Sequence, residues 1–338
     1  MKAVGHLRSL PLDDQQALVD LDLPDPEPGP HDLLVRVRAV SVNPVDVKVR
    51  AGMAPPEGQP RVLGWDAAGE VLAVGREVSG FVAGDRVWYA GNLQRAGSNA
   101  ERQVVDARIV SRMPRSLDFA AAAALPLTSI TAWELLFDRL GVPHGGGAGQ
   151  RLLVVGGAGG VGSILVQLAR RFTRLEVVAT ASRPDTMAWA QEMGAHHVID
   201  HRQPLDEALA AAGLEGGVHL CASLTHTEAH YPALVRALRP QGRLALIDDL
   251  AGPLDVRLLK PKSLSLHWEM MFTRPMFGTD DMAEQGRLLA AVADAVDAGT
   301  LRSTKTREFG DLSAATLREA HAWVESGRAI GKGVLEVR

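Results

Sequence analysis

The chain has 338 residues, 46% hydrophobic and 22% charged, the make-up of an ordinary globular protein of about two domains. Its net charge of −4 carries no basic footprint for nucleic acid or an anionic membrane surface. The single cysteine, Cys221, excludes an intrachain disulfide and a four-cysteine zinc site.

The N-terminus, M-K-A-V-G-H-L-R-S-L-P-L-D-D, lacks a signal-peptide apolar stretch, and no uninterrupted apolar run reaches about 18 residues; a cytoplasmic protein with no membrane partner is expected. The first 110 residues or so read as short strands with turns between them. L-L-V-R-V-R-A-V-S-V (33–42) alternates apolar with polar, and G-E-V-L-A-V-G (69–75) and D-R-V-W-Y (85–89) do likewise. Such a series predicts a compact barrel-like domain. Near Ala120 the pattern changes to helix formers, with Pro126 as a break or a helix start. From residue 151, strands and helices alternate: 151–155, 160–171, 175–180, 184–193, 197–199, then 218–222, 227–238 and 243–248. That alternation predicts a parallel sheet covered by helices on both faces. A helical pattern over Met282–Ala298 precedes a strand-like ending, G-K-G-V-L-E-V, which returns the chain to its first domain. Cys221, within H-L-C-A-S-L, reads as a small core residue.

The most informative stretch is V-V-G-G-A-G-G-V-G-S (154–163). Gly157, Ala158, Gly159, Gly160, Val161 and Gly162 match G-x-G-x-x-G between a strand and a helix, with a second strand within about thirty residues. There glycine lets the backbone approach a pyrophosphate, and the helix N-terminus supplies amide donors. No Gly-Lys-Ser/Thr follows, so a nucleoside-triphosphate loop is disfavoured. At an NAD site the second strand usually ends on an acid that holds the ribose 2′-OH. Here V-V-A-T-A-S-R-P-D has none before Asp185. Ser182 and Arg183 stand there instead, a hydroxyl and a guanidinium fork suited to a 2′-phosphate. NADP(H) is the expected cofactor.

Taken together, V-N-P-V-D-V-K-V-R (42–50), L-G-W-D-A-A-G-E-V (63–71), P-L-T-S-I-T-A-W-E (126–134), the glycine stretch and M-G-A-H-H-V-I-D-H (193–201) resemble the medium-chain dehydrogenase/reductase superfamily over nearly the whole chain. Within it the sequence is similar to the zinc-free quinone oxidoreductase branch, and to a subgroup often labelled zinc-binding alcohol dehydrogenases through 89–101 and 262–274. The resemblance implies an α/β fold: a GroES-like β-barrel domain (1–125 and 277–338) and a Rossmann doubly wound parallel-sheet domain (126–276). It also implies that Thr131 touches the nicotinamide end of the cofactor and that His201 lies near the adenosine phosphate. Leu224 and Thr225 cover the cofactor ribose, and Lys332 reaches the cofactor. Relatives commonly dimerise through edge strands, for which L-A-L-I-D-D and S-L-S-L-H-W are candidates; a homodimer is expected, with a tetramer as the alternative.

Zinc-dependent members of the superfamily carry a cysteine three residues before an aspartate, then Gly-His-Glu. Here those positions read Asn43 before Asp46, and Gly64-Trp65-Asp66. Catalytic zinc needs three protein ligands, and the eleven histidines are scattered, so no zinc is expected. Without a Lewis acid, hydride transfer to an acceptor that delocalises the incoming charge is the favoured chemistry: a quinone or an α,β-unsaturated carbonyl as small-molecule substrate. Asn43 is expected to orient cofactor or substrate, and Lys48 to offer a cation to the developing oxyanion. Trp65, Trp268, Met271 and Phe272 are expected in the cleft or its floor. The alternatives are a zinc-independent aldehyde or ketone dehydrogenase, and an NADPH-binding sensor with little turnover.

Overall fold

The alternating stretches near the start of the chain become short antiparallel strands in the computed structural model, which describes residues 1–338. In chain order these are β1 (Lys2–His6), β2 (Val19–Asp22), β3 (Asp32–Ser41), α1 (Pro44–Gly52), β4 (Arg61–Val62), β5 (Ala67–Val74), β6 (Arg86–Tyr89), β7 (Arg102–Asp106) and β8 (Ser111–Arg112). Two helices, α2 (Phe119–Ala123) and α3 (Pro126–Trp133), follow, and α3 continues as a π-helical stretch, Glu134–Arg139. Next come β9 (Arg151–Val155), α4 (Gly160–Phe172), β10 (Glu176–Thr180), α5 (Pro184–Glu192), β11 (His197–Ile199), α6 (Leu205–Ala211), β12 (Val218–Ser223), α7 (Thr227–Ala237), β13 (Leu238–Leu246) and β14 (Ser265–Trp268). The chain closes with α8 (Thr273–Phe277), α9 (Glu284–Asp297), β15 (Lys305–Asp311), α10 (Ala314–Glu325) and β16 (Lys332–Glu336).

Two units result: Met1–Ile130 with Phe272–Arg338, and Thr131–Met271. The first is the GroES-like one. Its larger sheet runs β15-β16-β3-β5-β6-β8, with β7 also paired to β3, and a smaller sheet runs β2-β1-β4. Strand β3 is the hub, antiparallel to β5, β7 and β16. Its alternate residues Leu33, Val35, Val37 and Ala39 are fully buried, as its period-2 pattern requires. The C-terminal strand thus pairs with β3, Val334 opposite Ser41 and Leu335 opposite Val40.

The second unit is a six-stranded parallel sheet in the order β11-β10-β9-β12-β13-β14, a Rossmann-like doubly wound arrangement. Helix α4 is buried all round over its middle, from Gly162 to Ala169, as befits a core helix. The strand order reverses between β9 and β12, so the loops after those two strands flank the switch point where such sheets take ligands. Cys221, on β12, lies in this core.

Several elements depart from the sequence pattern. V-N-P-V-D-V-K-V-R, for which the pattern gives no element, holds a helix: Asn43 is its extended N-cap, Pro44 its first residue, and Asp46 accepts the Asn43 backbone N–H at 2.8 Å, a helix-start signature. L-A-L-I-D-D begins inside β13, which pairs with β12 and β14 and is no edge; S-L-S-L-H-W contains β14, which is. The contiguous helical stretch Phe119–Arg139 is long and apolar enough to cross a membrane, but 83% of its apolar window is buried inside the protein. It serves as a core helix.

Candidate functional site

In the first unit, four residues from distant parts of the chain converge in a buried pocket. Asn43 caps α1, Asp46 lies one turn into it, Asp66 precedes β5, and Lys332 opens β16. The Lys332 ammonium donates to Val42 O at 2.8 Å, Asn43 Oδ1 at 2.7 Å and Asp66 Oδ2 at 2.9 Å. Asn43 Nδ2 donates to Asp66 Oδ2 at 3.0 Å and to Ser41 O at 3.4 Å. The other Asp66 oxygen accepts the Leu127 N–H, in the first turn of α3, at 3.0 Å. There the positive end of the helix dipole favours a carboxylate.

Burial is nearly complete: Asn43 is 1% exposed, Asp46 and Asp66 0%, and Lys332 3%. Burial raises the Asp66 carboxyl above its ordinary range, opposed chiefly by the Lys332 ammonium. Burial, with Asp66 adding, also pushes Asp46 up to about 7, opposed by the Asn43 N–H, the Lys332 charge and the Gly64 backbone. With both amide protons donated inward, Asn43 braces this pocket, in place of the free amide that the sequence suggests. Lys332 likewise spends its three donors here. Lys48 sits on the exposed face of α1.

Zinc does not fit this donor set. The candidate positions supply an amide, an indole and one carboxylate, and that carboxylate and the amide oxygen already bind an ammonium; zinc takes imidazole, thiolate and carboxylate donors. Trp65 is buried edge-to-face against Phe272, ring centroids 6.3 Å apart. Both are core residues of their unit, and Trp268, on β14, is 52% exposed.

In the second unit the glycine turn follows β9. Gly157 N–H donates to Thr180 O at 3.1 Å, and Gly156 N–H to Thr180 Oγ1 at 3.1 Å, fixing the turn against the end of β10. A Cβ on Gly162 would lie 2.3 Å from Gly156 O, and one on Gly157 would lie 2.7 Å from Ala179 Cβ. These two glycines let the strand, turn and helix pack together. Gly159 differs: its Cβ would meet only Gly156 O, at 3.6 Å. No protein atom demands a glycine there, and the backbone lies open at the N-cap of α4, followed by Gly160 and Val161. A turn bare on its outer side at a 13-residue helix start fits a pyrophosphate.

The residues predicted around it belong to this unit. Thr225 packs on Gly156, its Cγ2 being 3.0 Å from where a Cβ would stand, and Leu224 N–H donates to Val155 O at 3.3 Å. Ser182 and Arg183 follow β10, partly exposed. Arg183 caps α5, its guanidinium 3.3 Å from Asp185, and its N–H donates to Thr186 Oγ1. The acid nearest the strand end is therefore paired with that arginine. His201 closes the turn after β11, its Nδ1 buried without a partner and its pKa lowered by burial; its ring meets His230 at 6.0 Å. Thr131, in α3, is buried.

Sequence spacing missed one further group. Glu134 and Glu269 are both fully buried. Burial and the hydrogen-bonded Glu134 raise Glu269, while Arg139 opposes from 2.8 Å. The partners lie 135 residues apart in the chain (269 − 134), and nothing local links them.

Two family models match the chain. The alcohol dehydrogenase GroES-like domain family matches residues 29–115, and the zinc-binding dehydrogenase family matches residues 193–335. A zinc-type alcohol dehydrogenase-like protein of Staphylococcus epidermidis is 38% identical over the full length of both chains. The human mitochondrial NAD(P)H oxidoreductase RTN4IP1 is 30% identical, over 91% of this chain and 82% of its own. A crystal structure from Rhizobium etli CFN 42, provisionally described as a zinc-dependent alcohol dehydrogenase, superimposes with a TM-score of 0.95 at 55% identity, covering 99% of this chain and 98% of that one.

Proposed function

Because the chain belongs to the medium-chain dehydrogenase/reductase superfamily and is an oxidoreductase of that family, we propose that it reduces a quinone or an α,β-unsaturated carbonyl with NADPH, without zinc. One observation carries the reading: the open glycine turn at the sheet's switch point is bonded to Thr180 at the end of β10, the strand that leads into Ser182 and Arg183, with no unpaired acid on that strand end. The similarity to an NAD(P)H oxidoreductase supports a nicotinamide cofactor.

When bound, NADPH supplies the hydride. The chain's own residues do the rest. Gly159, Gly160 and Val161 offer backbone N–H groups to the pyrophosphate, while Gly157 and Gly162 keep the turn tight. Ser182 and Arg183 hold the 2′-phosphate by charge-assisted hydrogen bonds, with His201 toward the adenosine end. Leu224 and Thr225 cover the ribose side, and Thr131 meets the nicotinamide end. Lys48 presents its ammonium to the oxygen on which negative charge develops, and solvent delivers the final proton. Asn43 acts through the frame it shares with Asp66 and Lys332. The molecule works as a homodimer joined at β14, whose outer edge is unpaired within the chain and carries the half-exposed Trp268.

The test is oxidation of NADPH and of NADH in the presence of 1,4-benzoquinone, 9,10-phenanthrenequinone and a simple enone. Turnover that favours NADPH is expected. A preference for NADH would overturn the roles of Ser182 and Arg183; tight NADPH binding without turnover on any acceptor would favour a sensor.

A further inference from the structure

We infer that Lys332 is the resident cation of the buried acid pocket and the positioning residue for Asn43, Asp66 and the start of α1, in the place where zinc-dependent relatives carry their metal. The inference rests on the metal-free reading above. An ammonium has three protons and no acceptor. Here all three are directed at oxygens from two chain segments: Val42 and Asn43, between β3 and α1, and Asp66, at the entry to β5. Two of these oxygens are neutral carbonyls and one is a carboxylate, a set that suits an ammonium and lacks the imidazole and thiolate that zinc favours.

The arrangement is closed as well as buried. Asp66 uses both oxygens, one on Leu127 N–H and the other shared by Lys332 and Asn43. Asn43 is held in one amide orientation, because its oxygen accepts from Lys332 and its nitrogen donates to Asp66. Its backbone N–H goes to Asp46. The cap of the helix that bears Lys48 is therefore fixed by a residue nearly three hundred positions later in the chain (332 − 43 = 289). Lys332 thus supplies what a bound metal would supply to these side chains: a fixed positive charge and a defined geometry.

The experiment has two parts with separate readouts. First, the zinc content of the wild-type protein is measured after growth in zinc-supplemented medium. Content far below one zinc per chain is expected, and one zinc per chain would overturn the metal-free reading itself. Second, Lys332→Met, Asp66→Asn and the Asp66→Asn/Lys332→Met pair are compared for melting temperature and for kcat and KM. Lys332→Met leaves a buried carboxylate unpaired and should melt well below wild type, whereas the double variant should recover most of that loss. The double variant should still lose about tenfold in kcat, with KM for NADPH within about twofold, because Asn43 and α1 are no longer held in place. A Lys332→Met protein as stable and active as wild type would overturn the inference. A double variant that regains full kcat would do so too, since it would make Lys332 a purely structural residue.

Discussion

At the scale of single residues, the glycine turn separates what the fold needs from what the ligand needs. Ala at Gly162 would press on the Gly156 carbonyl at 2.3 Å, so Gly162→Ala should lower the melting temperature. Ala at Gly159 meets nothing closer than 3.6 Å, with φ at −71°. Gly159→Ala should therefore fold normally and lose NADPH affinity, a split that thermal melts and fluorescence titration would display together. Arg183→Ala removes one charge-assisted hydrogen bond to a 2′-phosphate, about 1.5–3 kcal/mol, and should raise KM for NADPH by about ten- to a hundredfold. KM for NADH should hardly change; equal losses with both cofactors would remove Arg183 from the phosphate site. The glycine turn itself was legible in the sequence because its geometry is local: strand, turn and helix lie within a few residues of one another. The duties of Asn43 and Lys332 were not, because the hydrogen bonds that Lys332 makes span 266 to 290 positions.

At the scale of elements, helix α10 packs its His321 inside the first unit near His6 of β1 and Arg50 of α1. His321 is fully buried with neither ring nitrogen hydrogen-bonded. Burial, with Arg50 and His6 adding, pushes its pKa down to about 3. An unfolded histidine titrates near 6.5. Between those values the unfolded chain binds the extra proton, so the stability contributed by neutral His321 is full above about pH 6.5 and is lost as pH falls toward 3. In urea melts the slope from this residue should reach about 1.4 kcal/mol per pH unit, and His321→Leu should flatten it. An unchanged slope in that variant would assign the acid sensitivity to other groups. Helix α10 itself was not read from the sequence, whereas the strands and helices of the second unit were. The latter have strong periodicity and clear glycine punctuation. Residues 314–325 mix charged and apolar residues with only a serine cap, Ser313, whose hydroxyl accepts the Thr316 N–H at 3.2 Å, to mark their start. The helix α1 start, Asn43-Pro44-Val45-Asp46, carries a local helix-start signal.

At the scale of the whole molecule, the β-rich first segment, the alternating middle and the strand-like ending together made the two-unit α/β fold readable, since each segment has its own period. The proposed homodimer would join at the edge strand β14, where Trp268 is 52% exposed and Met270, just beyond the strand, 49%. Trp268→Glu should convert a dimer to a monomer in sedimentation velocity without changing the circular dichroism spectrum, and a variant that sediments as wild type would place the contact elsewhere. The central claim is hydride transfer from NADPH without a metal. The measurement that reaches it most directly is kcat/KM for NADPH-dependent reduction of 9,10-phenanthrenequinone, before and after exhaustive dialysis against a chelator, with zinc content determined on the same samples. The account predicts the same kcat/KM at negligible zinc. Activity that disappears with the metal and returns when zinc is added back would contradict it.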